Sequence, residues 1–150
     1  MPMFERMLVP VDGSRHARFA VQMAIDLAKC HGSSVYLLHV IRDLSLPQEI
    51  LSMIQSGEVT QSRMEILQES AEIILDNAAA RLADAGIMDV QKDYVIGDPA
   101  SQILAHAQEK DVSLIVIGHR GLGSDEGMLG GVARKLVNMT GVSVLIVSGT

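Results

Sequence analysis

The sequence predicts an α/β protein: one doubly wound, Rossmann-like, mainly parallel five-stranded sheet with helices on both faces. Three observations predict it. Short β-branched-rich apolar runs recur along the chain, segments of helical period lie between them, and Gly, Pro or Asp bounds the runs. Near-continuous apolar runs of strand length read as strands buried on both faces, and strand alternating with helix implies parallel pairing through right-handed crossovers. Ligands of such sheets are expected at the carboxyl ends of the strands, where the strand order switches.

The first strand is expected over residues 7–11, closed by Asp12-Gly13. Phe19, Ala20, Met23, Ala24, Leu27 and Ala28 then fall on one face of a helix, and Gly32 ends it as a C-terminal glycine does. The second strand is expected over 35–40. The segment 42–63 fits the alternation poorly and reads as a long excursion, with a short helix around 48–55 and a loop at Ser56-Gly57-Glu58. Ile66, Ile73, Ile74, Asn77 and Arg81 belong to a longer helix ending near Gly86. A weaker, more polar strand covers 90–95. A helix follows over 98–108, with Pro99 tolerated in its first turn. A strand at 114–117, a helix at 131–139 and a last strand at 142–147 complete the order. Residues 1–150 are thus expected to form a single domain.

Composition narrows the function. The chain is 48% hydrophobic and 20% charged, which excludes intrinsic disorder. Its net charge of −6, without a Lys/Arg cluster, argues against nucleic-acid or membrane partners. Aromatic residues at 3% leave no base-stacking platform. Cys30 stands alone and suggests a reducing compartment. No apolar run reaches bilayer length and no targeting segment is visible, so a cytoplasmic location is the expectation.

The motifs of three common nucleotide and phosphate sites are missing. The chain has no Gly-Lys pair for a Walker A loop. The first strand-to-helix turn reads Asp12-Gly13-Ser14-Arg15-His16 rather than a dinucleotide fingerprint. A response regulator would need an acidic pair there and a lysine after the last strand, where Ser148-Gly149-Thr150 stands. What remains is 118–133, with six glycines between Gly118 and Gly131. Glycines admit an anion close to backbone amides, and a helix start directs N–H groups at it. A phosphate cradle and a plain solvent loop are both open readings, and the loop's place at the carboxyl edge favours the first.

Several separated pieces together resemble the universal stress protein family. They are Met7-Leu8-Val9-Pro10-Val11-Asp12-Gly13-Ser14, His39-Val40, Gly97-Asp98-Pro99, Ile115-Val116-Ile117-Gly118-His119-Arg120-Gly121 and Val144-Leu145-Ile146-Val147. The resemblance implies the adenine nucleotide alpha-hydrolase-like layout with strand order 3-2-1-4-5. It also implies a stress-response regulatory protein that binds ATP or AMP, with Mg2+ as an optional companion of the nucleotide. By that resemblance Pro10, Val11 and Asp12 flank the adenosine, and Val40 meets the adenine through its backbone. Ile117 and Gly118 lie beneath ribose and phosphates, and Gly121, Gly130, Gly131, Val132 and Ala133 approach the triphosphate. Read from the residues themselves, Asp125 and Glu126 in the same loop add like-charge repulsion, which His119, Arg120 and Arg134 are placed to offset. ATP-binding members carry Gly-x-x-Gly, nine residues, then Gly followed by Ser or Thr. Aligned from the last strand, Gly131 takes the hydroxyl position in a loop one residue short; counted strictly, Val132 does. The hydroxyl is missing either way.

Individual residues admit plainer roles. Asp12 suits a ribose hydroxyl or a helix cap equally, and Ser14 reads as a cap. His39 reads as a satisfied core residue, His31 and His106 as helix-surface residues. His16 and His119 share the carboxyl edge, yet two histidines without a carboxylate partner make a poor metal site, so no metal ligand is assigned. No catalytic residue is assigned either, so at most a weak ATPase is expected. A nucleotide-free interaction module of the same fold is the other alternative. In the layout the resemblance implies, residues 142–147 form an apolar edge without Pro or charge, so a homodimer through Val142 to Val147 is expected. Protein clients cannot be read from the chain.

Overall fold

The computed structural model describes residues 4–42, 60–120 and 128–149. In chain order the elements are β1 (Arg6–Pro10), α1 (Arg15–His31), β2 (Ser34–Arg42), α2 (Thr60–Asp84), β3 (Val90–Gly97), α3 (Pro99–Glu109), β4 (Leu114–Gly118), α4 (Gly131–Met139) and β5 (Ser143–Val147). The five strands form one sheet in the order β3-β2-β1-β4-β5, every neighbouring pair parallel. The expected architecture and strand order are therefore what the chain adopts.

Both sheet faces are covered, and the strands' alternation sorts their side chains between two cores. Met7, Val9, Val35, Leu37, Leu114 and Val116 pack against α1 and α2. Leu8, Leu38, Ile115 and Ile117 pack against α3 and α4 through Ala100, Ile103, Ala133 and Leu136. β1 and β4 are buried along nearly their whole length, as central strands of a parallel sheet must be. β3 has no fully buried residue, only exposed and half-buried ones, which is why its run is the weakest in the sequence.

Strand boundaries differ from the sequence reading by one or two residues throughout, with β1 ending at Pro10 rather than Val11 and β3 running on to Gly97. Three differences stand out. β2 extends through Ile41 and Arg42, because these residues pair with Ile96 and Gly97 of β3. The α2 backbone already begins at Thr60, so the excursion 42–63 loses residues at both ends; the short helix expected around 48–55 lies outside the described residues. Asp98 stands before α3 rather than in it. It is the N-cap, its side chain accepting from the Ser101 N–H at 3.1 Å, with Pro99 opening the helix.

Two close approaches lock α1 onto the sheet. A Cβ at Gly118 would lie 2.7 Å from the carbonyl carbon and oxygen of His16, so only glycine lets β4 pass that near the helix start. Beyond β5, a Cβ at Gly149 would fall inside the Phe19 ring.

Candidate functional site

The parallel order sends every strand's carboxyl end to the same edge, and a cleft opens there on both sides of the β1/β4 switch point. It is open to solvent and holds a cavity of about 100 Å³. Its floor is the ends of three strands: Pro10 and Val11; Leu38, Val40 and Arg42; Ile117 and Gly118. The starts of three helices form its rim, through Ser14 and Ala17, Pro99 and Ile103, and Gly131, Val132 and Ala133.

Each wall is held by local hydrogen bonding. After β1, the Val11 N–H donates to the Leu38 carbonyl at 2.9 Å, continuing the β1–β2 ladder past the strand end. The Asp12 carboxylate accepts from the Ser14 N–H at 2.9 Å, closing a tight turn, and Ser14 Oγ accepts from the Ala17 N–H at 3.1 Å. Ser14 is thus the cap of α1, and Asp12 braces the turn ahead of it. The His39 ring, half-buried, lies with Nδ1 2.7 Å from the Val11 carbonyl, tying β2 to the same turn. After β4, the His119 N–H donates to the Val147 carbonyl at 2.8 Å, and the Gly130 N–H donates to the His119 carbonyl at 2.9 Å. The second of these bonds brings the α4 start back to the end of β4. Gly130 is the N-cap of α4 and offers no side-chain cap, so the helix start meets the cleft as bare backbone.

Pro10, Val11, Asp12, Val40, Ile117, Gly118, His119, Arg120, Gly130, Gly131, Val132 and Ala133 all line this one cleft. Gly121 lies outside the described residues. Sequence reasoning did not find Ser14, Ala17, Leu38, Arg42, Pro99 or Ile103 as part of the wall. Arg42 was findable in principle, as a cation at the carboxyl end of a strand. Ala17 and Ile103 carry no signal beyond helical period. Among the described residues, the lining carries the guanidinium groups of Arg42 and Arg120 and the carboxylate of Asp12, in a chain of net charge −6.

His16 lies behind this wall. Burial, then Arg120, Arg15 and His119, hold its imidazole below the usual 6.5, while Asp12 pulls the other way. The two carboxyl-edge histidines are therefore within electrostatic reach of one another, but only His119 lines the cleft. The expectation that His106 is a surface residue is corrected. It is half-buried, stacks on Tyr36 with ring centroids 6.5 Å apart, and sets Nδ1 2.8 Å from the Gln102 carbonyl.

Fold and cleft together define a class: doubly wound α/β proteins with a glycine-lined, anion-compatible cleft at the carboxyl edge of the sheet. Within that class the chain belongs to the universal stress protein family, whose model matches residues 3–148. It is similar to universal stress protein YxiE of Bacillus subtilis, 38% identical over 149 residues that cover 97% of this chain and 99% of the relative. Among solved structures it is similar to protein MJ0577 of Methanocaldococcus jannaschii, at a TM-score of 0.82 and 27% identity over 99% of each chain. A universal stress protein solved in complex with cAMP shares the fold, at a TM-score of 0.72 and 23% identity over 98% of each chain. Among the described residues, no helix is long and apolar enough to cross a membrane.

Proposed function

We propose that this universal stress protein binds an adenine nucleotide, AMP or ATP, in the carboxyl-edge cleft, and acts as a cytoplasmic homodimeric regulator rather than through turnover. One observation carries the reading. In a chain of net charge −6, the single cleft at the switch point gathers two guanidinium groups, the bare backbone of a helix start and the glycines Gly118, Gly130 and Gly131. Backbone N–H groups, a positive helix end and arginines are the groups that hold phosphate. The apolar floor of Val11, Leu38, Val40 and Ile117 suits a purine and ribose.

Chemistry on the nucleotide is less well supported. The described lining offers one carboxylate, Asp12, with an oxygen engaged by the Ser14 N–H, and one hydroxyl, Ser14, already serving as a cap. A Mg2+ ion entering with a triphosphate would be held by phosphate oxygens and water, with Asp12 as the carboxylate of the described lining.

A second reading, an interaction module that takes no nucleotide, is favoured by one feature: neither Gly130 nor Gly131 supplies a hydroxyl at the start of α4. Native mass spectrometry of protein purified without added nucleotide separates the two. A co-purified AMP or ATP mass is the expected result. A bare mass, together with no heat on titration with either nucleotide, would favour the module.

A further inference from the structure

We infer that His16 is a proton acceptor behind the phosphate end of the cleft, so that an anionic ligand binds there together with a proton. The inference rests on the nucleotide-binding reading and names how that site is regulated. His16 is the second residue of α1, and its backbone packs directly against Gly118, the β4 residue on the cleft floor. Its ring stands edge-on to Phe19, with centroids 6.4 Å apart. Its Nδ1 is buried without a hydrogen-bond partner. Polar atoms in that condition are uncommon and costly, and functional sites are where they are retained.

The charged and titratable groups around the ring come from three places. Arg15 belongs to its own helix, His119 and Arg120 follow β4, and Asp12 belongs to the turn after β1. Burial and the cations keep the imidazole neutral at pH 7, with Asp12 opposing them among the described residues. A phosphate seated over Gly118, His119 and Arg120 changes that balance, because its negative charge offsets the cations that disfavour the imidazolium. Ligand binding then draws a proton from solvent onto His16. Linkage is reciprocal, so protonation of His16 tightens the ligand by the same factor. Affinity therefore rises as pH falls through the span between the bound and the free midpoint, by at most about tenfold per pH unit.

The test uses cAMP, whose phosphodiester keeps one negative charge throughout this range, so that the ligand's own titration does not enter. Affinity is measured by calorimetry from pH 5.5 to 8 for the wild type and His16→Gln, and the His16 ring is followed by NMR with and without ligand. AMP is titrated in parallel. The expected result is an upward move of the His16 midpoint on binding, with a pH-dependent affinity that flattens in His16→Gln. Binding of cAMP or AMP with an unmoved His16 midpoint, and the same pH profile in both proteins, would overturn the inference and leave the nucleotide reading standing. If the folded wild type binds neither ligand at any pH, the nucleotide reading itself fails and the inference falls with it.

Discussion

Position 131 is one of the two places where the resemblance puts the missing hydroxyl, and a side chain fits there. A Cβ there meets nothing within 4 Å, and Gly131 has no left-handed backbone that a side chain would strain. It is the first residue of α4, where serine is well tolerated. Gly131→Ser should raise ATP affinity by roughly three- to thirtyfold, the worth of one added hydrogen bond to a charged phosphate, read by calorimetric titration. Gly118 is the opposite case. Its missing Cβ is replaced by the backbone of His16 at 2.7 Å, which cannot swing aside as a side chain would. Gly118→Ala should force β4 and the α1 start apart and cost about 1–3 kcal/mol, measured as a shift in chemical unfolding. These two glycines look alike in the sequence; what tells them apart is the neighbouring chain.

The helix starts show which parts of an element can be read locally. Asp98-Pro99 spells a cap and a first residue, and α3 begins there because both signals act within four residues. Asp98 is held below the usual carboxylate range chiefly by the Ser101 N–H, then by the Ser101 hydroxyl, with Lys135 3.6 Å away on α4 contributing. Asp98→Ala should cost about 0.5–1 kcal/mol at pH 7, the low end for a cap because the side chain is half exposed. A depressed carboxylate stabilises the fold above its unfolded value. The gap between wild type and variant should therefore close as pH falls below about 3.9 and through the lower native value. Denaturant titrations at pH 7, 4 and 3 would follow it. β2 illustrates the complementary failure. Its end at Arg42 is set by pairing with Gly97, a residue 55 positions further on, and no local pattern announces that. The cleft divides in the same way. Its glycines and strand ends stand out as motifs, whereas Leu38, Pro99 and Ile103 join it only because parallel crossovers bring α3 over β2.

The sheet as a whole has two edges, and they differ in chemistry. β3 carries Gln91, Lys92 and Asp93 in exposed positions, with Lys92 ion-paired to Asp76 of α2. β5 offers Val144, Leu145 and Ile146, each only half covered, and the neighbouring α4 leaves Val137 and Met139 42% and 60% exposed. An apolar edge without charge or proline invites pairing with a second copy. A proline at 144 would remove one N–H from that edge and stiffen the strand. Val144→Pro should accordingly shift the protein from dimer to monomer or aggregate in light scattering. A well-folded dimeric variant would place the subunit contact elsewhere.

The pairing of β1 with β4 also fixes an order of events during synthesis. Arg6 N–H reaches Ser113 Oγ across 107 positions of sequence, so the central ladder closes over most of the chain. β1, β2 and β3 can assemble around α1 and α2 first, because their crossovers are consecutive. The opposite side of β1, with Met7, Leu8 and Val9, has no strand to pair with until residue 114 and its neighbours have left the ribosome. At about 5–20 residues per second, the interval between completion of β3 and of β4 is roughly 1 to 4 s. Throughout it, the nascent half-sheet exposes its most apolar strand as a bare edge. The same strand that ends in the middle of the sheet, flanked by β2 and β4, begins as an open edge exposed to capture by another chain.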